Sequence, residues 1–101
     1  MEQNPVVFVK FFAPFCQHCV AMAAQYEVLY TQSLEKNYKI VEVNCTAEED
    51  LCKSEGVKGY PTLSLYAFDE VFSYRKKRSA AAISSFIEDL INSQIPNLSE
   101  D

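Results

Sequence analysis

Two cysteines three residues apart, Cys16 and Cys19, enclose Gln17 and His18 at the end of an apolar run, Phe11-Phe12-Ala13-Pro14-Phe15. The thiolate is the nucleophilic form of cysteine, so the question is what near these sulfurs favours ionisation. Val6 to Phe12 is apolar and rich in β-branched and aromatic residues, which reads as a buried strand. Pro14 stops that strand, and from Cys16 the pattern turns helical. The pair therefore sits where a strand hands over to a helix. A cysteine at the helix cap faces N–H groups with no intrahelical partner and the positive end of the macrodipole, and both favour thiolate over thiol. Cys19 lies one turn further along the same face, so it can attack a mixed disulfide formed at Cys16. That makes a reversible dithiol pair.

His18 is the single histidine of the chain. Its imidazolium, close to Cys16 through the helix start, would lower the thiol pKa further; the plainer alternative is a histidine exposed on a first helical turn. A stabilised thiolate stabilises the reduced form and makes the disulfide the better oxidant. The expected potential therefore lies nearer the disulfide isomerase value of about -180 mV than the thioredoxin value of about -270 mV.

The elements that position this pair must come from 101 residues, one small domain with a modest core. Hydrophobic residues make up 49% and only two residues are glycine, which points to an ordered globule rather than a linker. A net charge of -5 disfavours nucleic acid as a partner, and the basic run Arg75 to Arg78 is too short to reverse it. No apolar segment reaches the length of a membrane span, and no signal peptide pattern precedes Val6.

The order of elements follows from periodicity. The first helix continues through Val20, Met22, Ala23, Tyr26, Leu29 and Tyr30 to about Leu34, with Asn37 marking its end. Tyr38 to Asn44 alternates and reads as a second strand, parallel to the first because a helix crosses between them. Thr46-Ala47-Glu48-Glu49 matches a capping box, opening a short helix that ends near Gly56. Thr62 to Phe68 and Val71 to Arg75 flank Asp69 and Glu70, a two-residue connection that predicts an antiparallel hairpin. Ser79 caps a last helix with Ile83, Phe86, Ile87, Leu90 and Ile91 on one stripe, which must cover a face of the sheet. Pro96 ends that helix, and 96–101 is a polar tail.

Cys45 and Cys52 form a second pair and tip the compartment toward an oxidising one. A zinc site is a rival use of the four thiols, but the second spacing has six intervening residues and the first pair opens a helix. From the residues alone two readings compete. A strict cap at Thr46 would stretch the Cys45–Cys52 separation beyond what a disulfide tolerates, whereas a bridge would close a short loop.

The α/β order β-α-β-α-β-β-α, with a redox pair at the first strand-to-helix junction, resembles a thioredoxin-like domain of the protein disulfide isomerase family. The specific stretches are Phe12-Ala13-Pro14-Phe15-Cys16-Gln17-His18-Cys19, Val43-Asn44-Cys45-Thr46 and Gly56-Val57-Lys58-Gly59-Tyr60-Pro61-Thr62-Leu63. The resemblance implies that Pro61 is a cis-proline packed near the active-site sulfurs and that Tyr60 offers its backbone to an extended substrate segment. It implies that Cys45 and Cys52 form a structural disulfide, inert in exchange. It also implies that Arg78 can swing toward Cys19 and lower its pKa.

Several positions depart from the family pattern. Phe15 replaces a tryptophan before the first cysteine and keeps an aromatic platform there, and Lys76 stands where a glycine is usual. Lys10 stands where many members carry a buried glutamate that moves protons for the second cysteine. A buried ammonium could favour the Cys19 thiolate or deprotonate and serve in proton transfer; otherwise Lys10 snorkels from a strand end. The family's usual N-terminal strand and helix are not evident ahead of Val6, which would leave Tyr38 to Asn44 as an edge open to pairing with another chain.

The function implied is that of a thiol–disulfide oxidoreductase and isomerase acting on unfolded or misfolded proteins with cysteines, using its own redox pair without a further cofactor or metal. Its electrons would pass to an upstream oxidase or to glutathione, in the endoplasmic reticulum lumen, as one domain or fragment of a longer secretory-pathway protein. A thioredoxin-like reductase and a redox-compromised substrate-binding module are the alternatives.

Overall fold

The apolar run that precedes the cysteine pair becomes an inner strand of a four-stranded sheet. In a computed structural model, which describes residues 5–93, β1 is Val7–Phe12, α1 Gln17–Ser33, β2 Lys39–Asn44, α2 Glu49–Ser54, β3 Thr62–Ala67, β4 Glu70–Tyr74 and α3 Ala80–Ser93. The sheet order is β2-β1-β3-β4. β1 runs parallel to β2, from Val7 opposite Lys39 to Phe12 opposite Asn44, as a helical crossover requires. β3 is antiparallel to both β1 and β4. Among the described residues β2 is an edge, as expected from the sequence.

Alternation along β1 divides the core in two, because successive side chains point to opposite faces. Phe8 joins Ile40, Leu63, Leu65 and Tyr74 beneath α1 and α3. Ile83 and Ile87 are fully buried there, and Phe86, Leu90 and Ile91 pack against the same cluster, so the stripe on α3 covers the sheet face it was expected to cover. Val9 and Phe11 face the other way, toward Cys45, Cys52, Val57 and Tyr66. α1 is fastened to the sheet by a polar contact as well: the Tyr26 hydroxyl donates to the Val41 carbonyl at 2.6 Å.

Ser79 caps α3 as its position predicts, its Oγ accepting the Ala82 N–H at 3.1 Å. The capping box at Thr46 does not form. Glu48 is the N-cap of α2 and makes no side-chain cap bond. The side chain that organises this turn is Asn44, whose Oδ1 accepts from both the N–H and the hydroxyl of Thr46, at 3.0 and 2.7 Å. Asparagine binds backbone two residues on more readily than a threonine reaches forward, and the turn it makes delays the helix to Glu49. The delay lets the chain fold back, placing the Cys45 and Cys52 Cα atoms 5.7 Å apart and joined by a disulfide. Two of the four thiols that an all-cysteine zinc site would need are consumed in this bond.

The hairpin is displaced by one residue from its expected place. Its two-residue connection is Phe68-Asp69, with Ala67 opposite Glu70, and β4 ends at Tyr74 rather than Arg75. Both turn residues have positive φ, 56° and 63°, the type I′ pattern whose twist matches that of paired strands. A phenylalanine is disfavoured in that region, so sequence preference pointed to the wrong pair; Phe68 is retained there by packing against the α1/α3 core. The expectations for Pro96 and the polar tail lie outside the described residues.

The Cys45–Cys52 bond ties α2 to the sheet and restricts the unfolded chain. Replacing both cysteines with alanine is expected to lower unfolding free energy by about 2.5 kcal/mol, the chain-entropy value for a loop of this length. Urea titration measures the loss, and iodoacetamide reactivity at Cys16 should be unchanged; a change there would mean that the two pairs communicate.

Candidate active site

Strand β1 ends at Phe12, and the chain turns through Ala13, Pro14 and Phe15, with the Cys16 N–H donating to the Ala13 carbonyl at 3.0 Å. Proline fixes φ and cannot extend the ladder, so the turn is local chemistry. Cys16 then takes the N-cap position of α1, with extended backbone at φ -82° and ψ 118°. Its Sγ accepts the Cys19 N–H at 3.2 Å, the role a serine or aspartate oxygen usually fills. No acidic side chain occupies the first turn, so the positive end of α1 is left to the sulfur.

The two thiols, both free, differ in environment and so in acidity. Partial loss of solvent pushes the Cys16 thiol up. Hydrogen bonds from Cys19 and from the His18 backbone, with the Arg78 charge, outweigh it and hold Cys16 below its ordinary value. Cys19 is buried, and that burial, reinforced by its bond to Cys16 and the neighbouring negative charge, pushes its thiol up. The Ala13 backbone and the Lys10 ammonium pull it partly back. An accessible, acidic thiol beside a buried, weakly acidic one is the arrangement for a nucleophile and its resolving partner.

His18 is exposed, and it is its amide rather than its ring that bears on Cys16. Phe15, 74% exposed, sets its ring edge-on to Tyr60 with centroids 6.2 Å apart. The Tyr60–Pro61 peptide is cis. Phe15, Tyr60 and Pro61 are thus gathered at the end of the molecule that carries the cysteines. Arg78 lies in the connection between β4 and α3, and in this arrangement its charge acts on Cys16.

Lys10 does not reach solvent. Only 4% exposed, it points under α1, with its Nζ 3.2 Å from Glu42 Oε1, 4.8 Å from the Tyr26 ring centroid and 5.3 Å from that of Phe12. Glu42 and the ring of Tyr26 were not found from the sequence. The parallel register that places Lys10 opposite Glu42 was the available signal, since both fall on the helix-covered side of their strands.

The thioredoxin family model matches residues 1–89. The chain belongs to the thioredoxin family. Among curated relatives it is similar to the protein disulfide-isomerases of Humicola insolens, 45% identical over 99% of the chain, and Aspergillus niger, 42% identical over 98%. The chain spans about a fifth of the length of these relatives, 19% of each. Among solved structures, the J-Trx1 fragment of ERdj5 superposes with a TM-score of 0.80 at 26% identity, covering 87% of this chain and 44% of that one. The four-stranded mixed sheet and three helices are the thioredoxin fold.

In this thioredoxin domain the acidity difference has a definite sign with pH. A lowered Cys16 pKa stabilises the folded, reduced protein above the unfolded thiol value of about 8.5, and that stability is lost as pH falls through the folded value. Cys19, raised, contributes below about 8.5 and loses its contribution as pH rises through its folded value. Iodoacetamide alkylation, followed by peptide mass spectrometry from about pH 4 to about pH 10, is expected to show Cys16 levelling off below about 8.5 and Cys19 lagging above it. Coincident profiles would remove the division of labour.

Proposed function

We propose that this domain is a thiol–disulfide oxidoreductase that forms and rearranges disulfides in folding proteins, with Cys16 as nucleophile and Cys19 as resolving thiol. The observation that carries the reading is the Cys16 sulfur standing as the N-cap of α1, its thiol lowered, with Cys19 buried one turn behind it. Similarity to named protein disulfide-isomerases supports the same reading.

In oxidation, a substrate thiolate attacks Cys16 Sγ of the Cys16–Cys19 disulfide, and Cys19 leaves with the electron pair and takes up a proton. The substrate's second thiolate then attacks its own sulfur in the mixed disulfide, releasing Cys16 as thiolate. Two electrons pass from substrate to the pair, one of the two substrate protons ends on Cys19 and the other is released to solvent, and glutathione disulfide or an upstream oxidase restores the disulfide. In isomerisation, the Cys16 thiolate opens a wrong bridge, and the freed substrate thiolate, or another, displaces it with no net redox change. Cys19 provides release when no substrate thiol does.

Tyr60 and cis-Pro61 present backbone to an extended segment, and Phe15 gives it an apolar platform. Arg78 favours the Cys16 thiolate on the solvent side. Lys10, paired with the half-exposed Glu42, holds a positive charge that favours the thiolate form of Cys19 when that thiol must attack. His18 acts on Cys16 through its backbone amide. Residence in the endoplasmic reticulum lumen fits the buried Cys45–Cys52 bridge together with this activity.

Refolding of a scrambled disulfide protein tests the proposal. Wild type is expected to restore activity, Cys16→Ser to fail, and Cys19→Ser to accumulate mixed disulfides; wild type no faster than the double variant would refute catalysis. Equilibration with glutathione should give a potential near about -180 mV, and a value under about -250 mV would make the domain a reductase. For Lys10→Met, the pH profile of mixed-disulfide release is expected to shift to higher pH, whereas a purely structural lysine would change stability and leave that profile in place.

A further inference from the structure

Next to Tyr60, whose ring meets that of Phe15 just before Cys16, a surface groove of about 490 Å3 runs between the start of β3 and the exit of β4. Pro61 and Thr62 form one wall, and Ser73, Arg75, Lys76 and Arg78 the other. The three cations are exposed, and among the described residues none of them has a carboxylate within ion-pair distance. No acidic side chain lines the groove. The contrast with the rest of the chain is sharp, since 14 acidic residues against 9 basic ones give it a net charge of -5.

We propose that this groove selects substrate segments carrying carboxylates within a few residues of the reacting cysteine. The inference rests on the thiol–disulfide reading above and names the kind of substrate that reading would favour. A segment lying along Tyr60 and Pro61 reaches the groove at once, because Pro61 belongs to both. Its cysteine would stand near Cys16, and flanking side chains would fall toward Arg75 and Lys76. Opposite charge there steers approach and fixes register, while the acidic remainder of the surface repels the same segment everywhere else. Lys76 lies between Arg75 and Arg78 in the chain and brings that wall to three charges. Longer polyanions fit less well: a single wall of three cations on a net acidic domain does not supply the continuous positive track a nucleic acid needs.

The test compares two short dithiol peptides, identical except that two residues flanking the reacting cysteine are glutamate in one and glutamine in the other. Second-order rates of their oxidation by the oxidised domain are measured by stopped flow at low and at high salt. At low salt the glutamate peptide is expected to react about threefold to tenfold faster, the scale of screened surface ion pairs, with the advantage collapsing at high salt. Glutamates also alter the peptide's own thiols, so the ratio is measured again with the Arg75→Ser/Lys76→Ser protein, in which it should fall to the baseline the two peptides show with glutathione disulfide. Equal rates at low salt, or a preference above that baseline that survives the double substitution, would overturn the inference. Failure of the oxidised domain to oxidise either peptide would instead strike the thiol–disulfide reading itself. The glutathione potential of the double variant tells the two apart, since loss of a docking wall leaves the Cys16–Cys19 couple able to equilibrate.

Discussion

A single hydrogen bond, from the Cys19 amide to the Cys16 sulfur, is the contact on which the active end depends. It exists because Cys16 occupies the helix cap, where free N–H groups point outward and the macrodipole is positive. It also makes the two cysteines unequal, since the donor of that bond belongs to the residue whose own sulfur is buried behind the first. Had the helix started one residue later, Cys16 would be a loop thiol with no amide partner. The Ala13–Cys16 turn and the packing of Met22, Tyr26 and Leu29 against the sheet fix that starting point.

Charge around the pair is arranged on two sides. Arg78 is exposed and its charge lowers the Cys16 thiol, while Lys10 is buried and its charge pulls the Cys19 thiol down. Burying an ammonium is costly unless it is paired, and Lys10 meets that requirement with Glu42 and the faces of two aromatic rings. The Tyr26 ring over which it sits belongs to the side chain whose hydroxyl fastens α1 to β2. The placement of the buried charge and the seating of α1 therefore share residues, and the site cannot be varied independently of the fold beneath it.

The opposite face of the sheet is simpler. There the Cys45–Cys52 bond stands in for apolar bulk, packing with Val9, Phe11, Val57 and Tyr66 where a six-residue helix alone would cover little. Its formation turned on Asn44, a residue whose side chain outcompeted the cap that Thr46 and Glu49 advertise. Local patterns of this kind are read from residue types, but which of two adjacent polar side chains captures a backbone amide depends on the direction in which the strand delivers them. The hairpin shows the same thing in another form, because Phe68 takes a positive φ that its type disfavours once its ring is held by the core.

Periodicity, a proline and the cysteine spacing by themselves determined the order of elements, the strand-to-helix junction and the placement of Cys16 at a helix start. These depend on neighbours in sequence, and the physics of caps, turns and amphipathic stripes is local. Only the tertiary structure decided the environment of Lys10, the closing of Cys45 on Cys52, the effect of the Arg78 charge on the Cys16 thiol and the basic wall opposite Pro61. Each of those joins residues from different elements, so it is set by sheet register and helix packing, which no stretch of sequence contains on its own.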